Sequence, residues 1–429
     1  MNSSLTNLKT FIEKATSPYH VVEESKKILL ANGFTELPPP QSWNLKQGGR
    51  YFIVPFDTTL YAFTVGNTLS KTPAFRIATA HTDHPCFRLK PVCELKEHSY
   101  LKLNTETYGG PILNTWLDRP LSIAGKVCLK SSDVMHPETV LFDAKKPLVT
   151  IPNLAIHMNR QINKGVELNK QTDINPIIGL LNNKLNQEHF FLNYLASELN
   201  TTPENILACD LMVYNCEEPV LLGMDNDFFS SPRLDNLTSV VACLNGMIHD
   251  ANEKDIHMIA LYDNEEIGSR TKQGADSILT NLVLENILDS FQIPKKSLFQ
   301  SLPDSMILSA DVAHGLHPNF PGKSDPVTVC ELGKGVVFKL DSNHKYAFDS
   351  EAISILQQIC ETNNIAYQKF ANRSDMPSGS TLGSIISSWL PMKSIDIGVP
   401  LLAMHSAREL MAAKDQSSLE QTILSFFLA

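Results

Sequence analysis

Apolar residues recur along this chain in two rhythms. Near the start, Leu5, Leu8, Phe11 and Ile12 fall on one face of a helix within MNSSLTNLKTFIEKA. A second helix is predicted from about Pro18 to Asn32, with Gly33 placed to end it in a left-handed conformation. The runs RYFIVPF and TLYAFTV predict a hairpin, and AFRIATA predicts a strand leading straight into HTDHP.

Between about residues 95 and 230 the texture changes. YLKLNT, LSIAGKVCL, ETVLFD, PLVTIP and LMVYNC read as strands separated by loops, with one helical stretch at HFFLNYLASEL. After it, LDNLTSVVACLNGMIHD carries apolar residues at 237, 240, 241, 244, 247 and 248, the stripe of a core-facing helix. Strand and helix patterns then alternate: DIHMIALY, SILTNLVLENILDSF, SMILSAD, GVVFKL, EAISILQQICE, AYQKF, TLGSIIS, SIDIGVPLLAMH and SLEQTILSFF. That alternation predicts an α/β fold, a central sheet layered between helices. The economical division joins residues 1–94 and 231–429 into one α/β domain and treats 95–230 as an inserted β-rich domain, since insertion points commonly lie at the surface.

At 429 residues and 43% apolar, the chain has material for a large core and two domains. With 46 acidic against 36 basic residues the formal charge is −10, which favours neither nucleic acid nor an anionic membrane as partner. The N-terminal pattern is amphipathic, without the basic and then continuously apolar order of a signal peptide, and no run is long enough to span a bilayer. Eight cysteines without a CxxC pair read as buried thiols in a reducing compartment, so the expected location is cytoplasmic.

Chemistry-bearing residues gather at the ends of predicted elements. His81 and Asp83 follow ATA, Asp235 opens a helix, Glu265 and Glu266 follow IALY, Asp311 follows MIL, and His405 ends VPLLA. In layered α/β proteins the loops at strand ends converge into sites. His81, Asp235, Glu266, Asp311 and His405 form a nitrogen and oxygen donor set suited to zinc, with manganese or cobalt as substitutes. Two ions fit it better than one. Asp235 bridges, His81 and Asp311 complete one site, and Glu266 and His405 the other, with ~3.5–4 Å between ions in such sites. Glu265 is then left to take a proton from the attacking water, and Asp83 to support His81. Each cluster alone also has a plain reading: a solvated glutamate pair, a core histidine at 405, a helix-dipole charge at Asp235, a turn cap at Asp311. The HxD pair of His81 and Asp83 is likewise a weak signal alone, and all five plain readings would have to hold together.

In this order and spacing, SPYHVVEE, AHTDHPCFRLKP, YGGPILNTWLDRPLSIAGKV, IPNLAIHMNR, SPRLDNLTSV, DNEEIGS, SADVAHGLHPNF, DMPSGSTLGSI and MHSARELM resemble the M18 metallopeptidases, the aspartyl aminopeptidases. The resemblance spans nearly the whole chain. It implies two zinc ions per subunit held by the five ligands above, Glu265 as general base and Asp83 as its supporting acid. It also implies dimerisation through the inserted domain and assembly of dimers into a dodecamer. His157 would reach a neighbouring subunit's site as a substrate contact, with metal ligation its minority role. His314, Lys339, Tyr346 and Asp375 match pocket positions, Lys339 pairing with an acidic first residue of the substrate and Asp375 lining the pocket near the free amine. Apart from the resemblance, Lys339 reads as an ordinary lysine at a strand end.

The sequence departs from that pattern in three places. PGKSDPVTVCELGKG stands where the family usually has a histidine-rich segment, His84 and Cys86 stand where small residues are common, and NHKYA replaces the usual QRYA. The expected activity is thus release of an N-terminal residue, Asp or Glu, or a preference relaxed toward neutral residues, from peptides with a free N-terminus. Two rivals remain at this level: a di-zinc dipeptidase or deacylase, and a non-catalytic oligomeric cargo-binding protein.

Overall fold

A computed structural model describes residues 3–38, 43–181 and 188–429. The chain divides into two compact units. The first comprises Met1–Asp83, Pro219–Met404 and Glu409–Ala429, and the second His84–Glu218 and His405–Arg408.

In the first unit a nine-stranded sheet runs in the order Thr35–Glu36, Arg50–Phe56, Thr59–Val65, Ile256–Tyr262, Phe75–His81, Met306–Ala310, Lys393–Gly398, Val336–Leu340, Tyr367–Ala371. Arg50–Phe56 and Thr59–Val65 pair as the expected hairpin. Four neighbours, from Ile256–Tyr262 to Lys393–Gly398, are mutually parallel. Because successive side chains alternate faces, Ala78, Ala80, Ile259 and Leu261 join one core, whereas Phe75, Ile77, Met258 and Ala260 join the other. Helices Ser3–Lys14, Pro18–Ala31, Leu234–Ile248, Ser350–Thr362 and Asp415–Leu428 pack into the first core; Leu279–Ser290 and Leu382–Trp389 pack into the second. This is the three-layer α/β arrangement that the alternation predicted.

The helix stripes account for much of that packing. Leu237, Val240, Val241, Leu244 and Met247 are all buried, each burial contributing ~1.5–3 kcal/mol before chain entropy is subtracted. Leu5, Leu8, Phe11 and Ile12 are buried in the same core. Gly33, at φ +80°, ends the second helix, which stops at Ala31.

The second unit is built on a six-stranded antiparallel sheet in the order Glu138–Asp143, Leu121–Leu129, Ile206–Asn215, Cys86–Glu97, Tyr100–Tyr108, Ile177–Leu180. Its helix Phe190–Glu198 is anchored by Glu94, whose carboxylate accepts the N–H groups of Phe191 and Leu192 at 2.7 and 3.0 Å. Cys86–Glu97 belongs to this sheet, so the first junction lies at 83/84 where the sequence suggested 94/95.

Two local expectations are corrected. PLVTIP is not a full strand: it makes isolated bridges at Val149 and Thr150, flanked by Pro147 and Pro152, which have no N–H to extend a ladder. The eight cysteines are free thiols, yet only Cys86, Cys243, Cys330 and Cys360 are buried, and Cys209 is exposed. Among the described residues no helix is long and apolar enough to cross a membrane.

Candidate metal centre

The parallel strands bring the predicted residues to one sheet edge. Register sets Tyr262 opposite His81 and Ala310 opposite Ile397, so the chain segments carrying His81, Glu265, Glu266 and Asp311 all emerge at the carboxyl ends of neighbouring strands. That edge is where open α/β sheets bind ligands.

Asp235 reaches the same place by a local departure from helix geometry. The helix assigned to Leu234–Ile248 is non-helical at Asp235 (φ −79°, ψ 105°) and Asn236, and Arg233 before it has φ +59°. Asp235 therefore lies just before the regular turns of the helix. Its backbone N–H donates to the Glu409 carboxylate at 3.0 Å, and the Asn236 amide donates to the Ala310 carbonyl at 2.9 Å. Glu409, buried on the strand Glu409–Ala412, was missed in the sequence because nothing local distinguishes it from a surface glutamate.

Donor atoms of His81, Asp235 and Glu266 lie within 4.8 Å of one another. His81 Nε2 is 3.3 Å from Asp235 Oδ1 and 3.6 Å from Asp311 Oδ1. On its other side, Nδ1 lies 3.1 Å from the Asp83 carbonyl oxygen and 3.3 Å from Asp83 Oδ1. A proton held on Nδ1 leaves the Nε2 lone pair for a metal. The Asp83 carboxylate also accepts the N–H groups of Glu265 and Glu266, at 3.2 and 3.1 Å. One buried side chain thus fixes both the histidine and the glutamate pair. Asn264, at φ +63°, turns the chain so that these two N–H groups point inward.

The electrostatics follow from crowding. Burial pulls the His81 imidazole down, but the hydrogen bonds it donates to Asp235, Asp311 and Asp83 push its pKa well above the ordinary value. Burial pushes the Glu265 carboxyl up to about 8; the His81 charge opposes this, and Asp311, Asp83 and Asp235 add to it. Asp263 is pushed to about 7 by burial and by Asp83. Burial acts against ionisation of Asp311 too, but Lys339 and His81 hold it below the usual range. The carboxyl groups of Asp83, Asp235, Glu265, Glu266 and Asp311, with Asp263 and Glu409 beside them, thus share this region with His81 and the ammonium of Lys339. The excess of negative charge and the nitrogen and oxygen donors fit a divalent cation of the zinc class.

The other predicted residues lie in varied surroundings. Lys339 is buried and ion-paired with Asp311 at 3.2 Å. Tyr346 is buried with its ring beneath the Lys339 ammonium, 5.1 Å from centroid to Nζ. His314 is exposed, its ring edge-on to Phe370. Asp375 is exposed and paired with Arg373 at 2.6 Å, in a surface depression shared with Phe320 and Lys323. In the second unit His157 is exposed, and His405, at φ +66°, has Nδ1 3.2 Å from the Gly110 carbonyl oxygen.

Fold and donor set together define a metallohydrolase of the layered α/β type. Residues 11–427 match the family described as Aminopeptidase I zinc metalloprotease (M18). A probable M18 family aminopeptidase 2 from Clostridium acetobutylicum is 44% identical over 418 residues, covering 97% of this chain and 96% of that protein. Among solved structures, a chain in the cryo-EM structure of the Ape4 and Nbr1 complex superposes with a TM-score of 0.94 at 31% identity, covering 99% of this chain and 85% of that one. The S. cerevesiae mApe1 dodecamer superposes at 0.85 and 26% identity, covering 99% and 96%. The chain belongs to the M18 family of zinc metallo-aminopeptidases, as its motifs suggested.

Proposed function

We propose that this chain is a di-zinc aminopeptidase that releases the first residue of peptides, with a preference extending from Asp and Glu to neutral residues. The observation that carries the reading is the convergence of His81, Asp235 and Glu266 within 4.8 Å beside Glu265. Asp235 would bridge, with Asp311 and His81 on one ion and Glu266 and His405 on the other; manganese or cobalt would substitute. Bound zinc supplies Lewis acidity to the scissile carbonyl and acidifies water. Glu265 takes the proton of the attacking water and passes it to the leaving amine. Asp83 keeps Glu265 and Glu266 aimed through their backbone N–H groups. The negative potential of the site favours a substrate's α-ammonium, which restricts cleavage to free N-termini.

The relaxed preference follows from Lys339: an ammonium committed to Asp311 has little left to select an acidic side chain. Subunits would assemble as twelve, by likeness to the S. cerevesiae mApe1 dodecamer; by the motif resemblance alone, they would dimerise through the second unit, and His157 would contact substrate in a neighbouring subunit. The eight free thiols suit a cytoplasmic enzyme. Hydrolysis of Asp-, Glu-, Leu- and Ala-anilides and their N-acetyl analogues tests the reading. Cleavage of the free forms only is expected; equal cleavage of the acetylated forms would favour a deacylase, and no hydrolysis with less than one zinc per chain would favour the non-catalytic alternative.

A further inference from the structure

Asp235 is held through its backbone as well as through its carboxylate. Its Oδ1 stands 3.3 Å from His81 Nε2, while its N–H donates to Glu409 Oε2 at 3.0 Å. Glu409 is only 2% exposed, a carboxylate nearly withdrawn from water. Such a group is costly to bury unless it is hydrogen-bonded, and here a bond goes to the backbone of the residue proposed to bridge two ions.

The local chain explains why a hold is needed at this point. Phe228–Ser231 pairs antiparallel with Glu409–Ala412, and Ser231 lies directly opposite Glu409. The ladder ends there, because Pro232 has no N–H to extend it and Arg233 turns the chain at φ +59°. Asp235, at ψ 105°, has not yet entered the regular helix, and its N–H is among those that no intrahelical carbonyl reaches. Glu409, extending from the last rung of the ladder, supplies the acceptor. On the other side, the Asn236 amide donates to the carbonyl of Ala310, the residue just before Asp311. The segment carrying Asp235 is thus fixed between Glu409 and the strand end that carries Asp311.

From this geometry we infer that Glu409 is a positioning residue for the metal centre: it holds Asp235 by the backbone N–H, so that the carboxylate is aimed before any ion binds. The inference rests on the reading of Asp235 as the bridge between two zinc ions. It assigns Glu409 no contact with ion or substrate. Groups behind metal ligands govern affinity by about 10–100-fold, and one behind a bridging ligand acts on both ions together.

Two conservative variants of the full-length chain separate the bond from the charge. Glu409→Asp keeps the charge but, one methylene shorter, draws the acceptor away from the Asp235 N–H; Glu409→Gln keeps an acceptor oxygen at the same reach and removes the charge. Cobalt(II) is titrated into each metal-free protein and followed by the visible absorption of the bound ion, with melting as the control for folding and kcat on Leu-anilide measured at limiting and at excess cobalt. The inference requires Glu409→Asp to bind both cobalt ions about 10–100-fold more weakly than the parent and to regain turnover only at excess cobalt. It requires Glu409→Gln to stay within about fivefold of the parent, since its oxygen still accepts although a neutral acceptor is weaker. Equal weakening in both variants, or a greater loss in Glu409→Gln, would overturn it and make the charge rather than the bond what matters. Parental cobalt affinity in a folded Glu409→Asp would overturn it as well, leaving Glu409 a part of the fold alone. A parent that titrates to fewer than two cobalt ions would instead overturn the di-zinc reading itself.

Discussion

Asp83→Asn probes the arrangement at a single atom. The carboxylate accepts Glu265 N–H on one oxygen and Glu266 N–H on the other, and stands 3.3 Å from His81 Nδ1. Asparagine keeps one acceptor oxygen and replaces the other with an NH2 donor, so one glutamate N–H faces a donor whichever way the amide turns. The loss is one charge-assisted bond, plus the penalty for a buried N–H left without an acceptor, together on the order of 3 kcal/mol. Asp83 is fully buried, so solvent screening does not soften this figure. Since about 1.4 kcal/mol is a factor of ten in an equilibrium, we expect zinc affinity to fall up to ~100-fold if most of the loss is felt at Glu266. A competition titration of metal-free protein with a chromophoric zinc chelator measures it, with melting of the same samples as a control for folding. Affinity within twofold of the parent, in a variant that melts normally, would refute the claim that Asp83 holds the glutamate pair in place.

Other predictions follow from the same structure. Glu265→Gln should keep fold and metal content, because Glu265 is not among the proposed ligands, yet lose ~10²–10⁴ in kcat; near-parental turnover would remove it from the proton-transfer role. Gly398→Ala should drive a Cβ into the Asp311 carbonyl and force the strands Met306–Ala310 and Lys393–Gly398 apart, costing ~1–3 kcal/mol and activity together; an unperturbed melt with full activity would contradict that close approach. Asp415, whose carboxyl accepts Gly333 and Gly335 N–H at 2.7 and 3.0 Å, is pushed up to about 6 by burial. The folded state therefore binds this proton more tightly than the unfolded chain, so Asp415's contribution is greatest below pH ~4 and is lost as pH rises through about 6. Relative to Asp415→Asn, the parent should lose on the order of 2–3 kcal/mol between pH 4 and 7 in denaturant melts, and a pH-independent difference would count against it.

The sequence was most informative where structure is local. The stripe through Leu237, Val240, Val241, Leu244 and Met247 needs only the helical period, and the placing of His81, Glu266 and Asp311 after apolar runs needs only strand ends. What stayed hidden depends on which strands become neighbours. Lys339 meets Asp311 across the intervening strand Lys393–Gly398, an order no local pattern records, so the lysine read as either a strand-end charge or a substrate contact. Glu409 beneath Asp235 is likewise brought in by a distant strand. The departure from helix geometry at Asp235 was masked by the regular stripe that begins two residues later. His405 follows an apolar run of the first unit, yet it groups with the second through its own backbone and ring contacts at Ile112 and Gly110.

Diffraction from crystals of the zinc-loaded enzyme, recorded on both sides of the zinc absorption edge, tests the central claim most directly. The account predicts two anomalous peaks about 3.5–4 Å apart, flanking Asp235, one against His81 and Asp311 and the other against Glu266 and His405, with Glu265 bound to neither. Peaks elsewhere, or none beside His81, Asp235 and Glu266 in fully active protein, would contradict it.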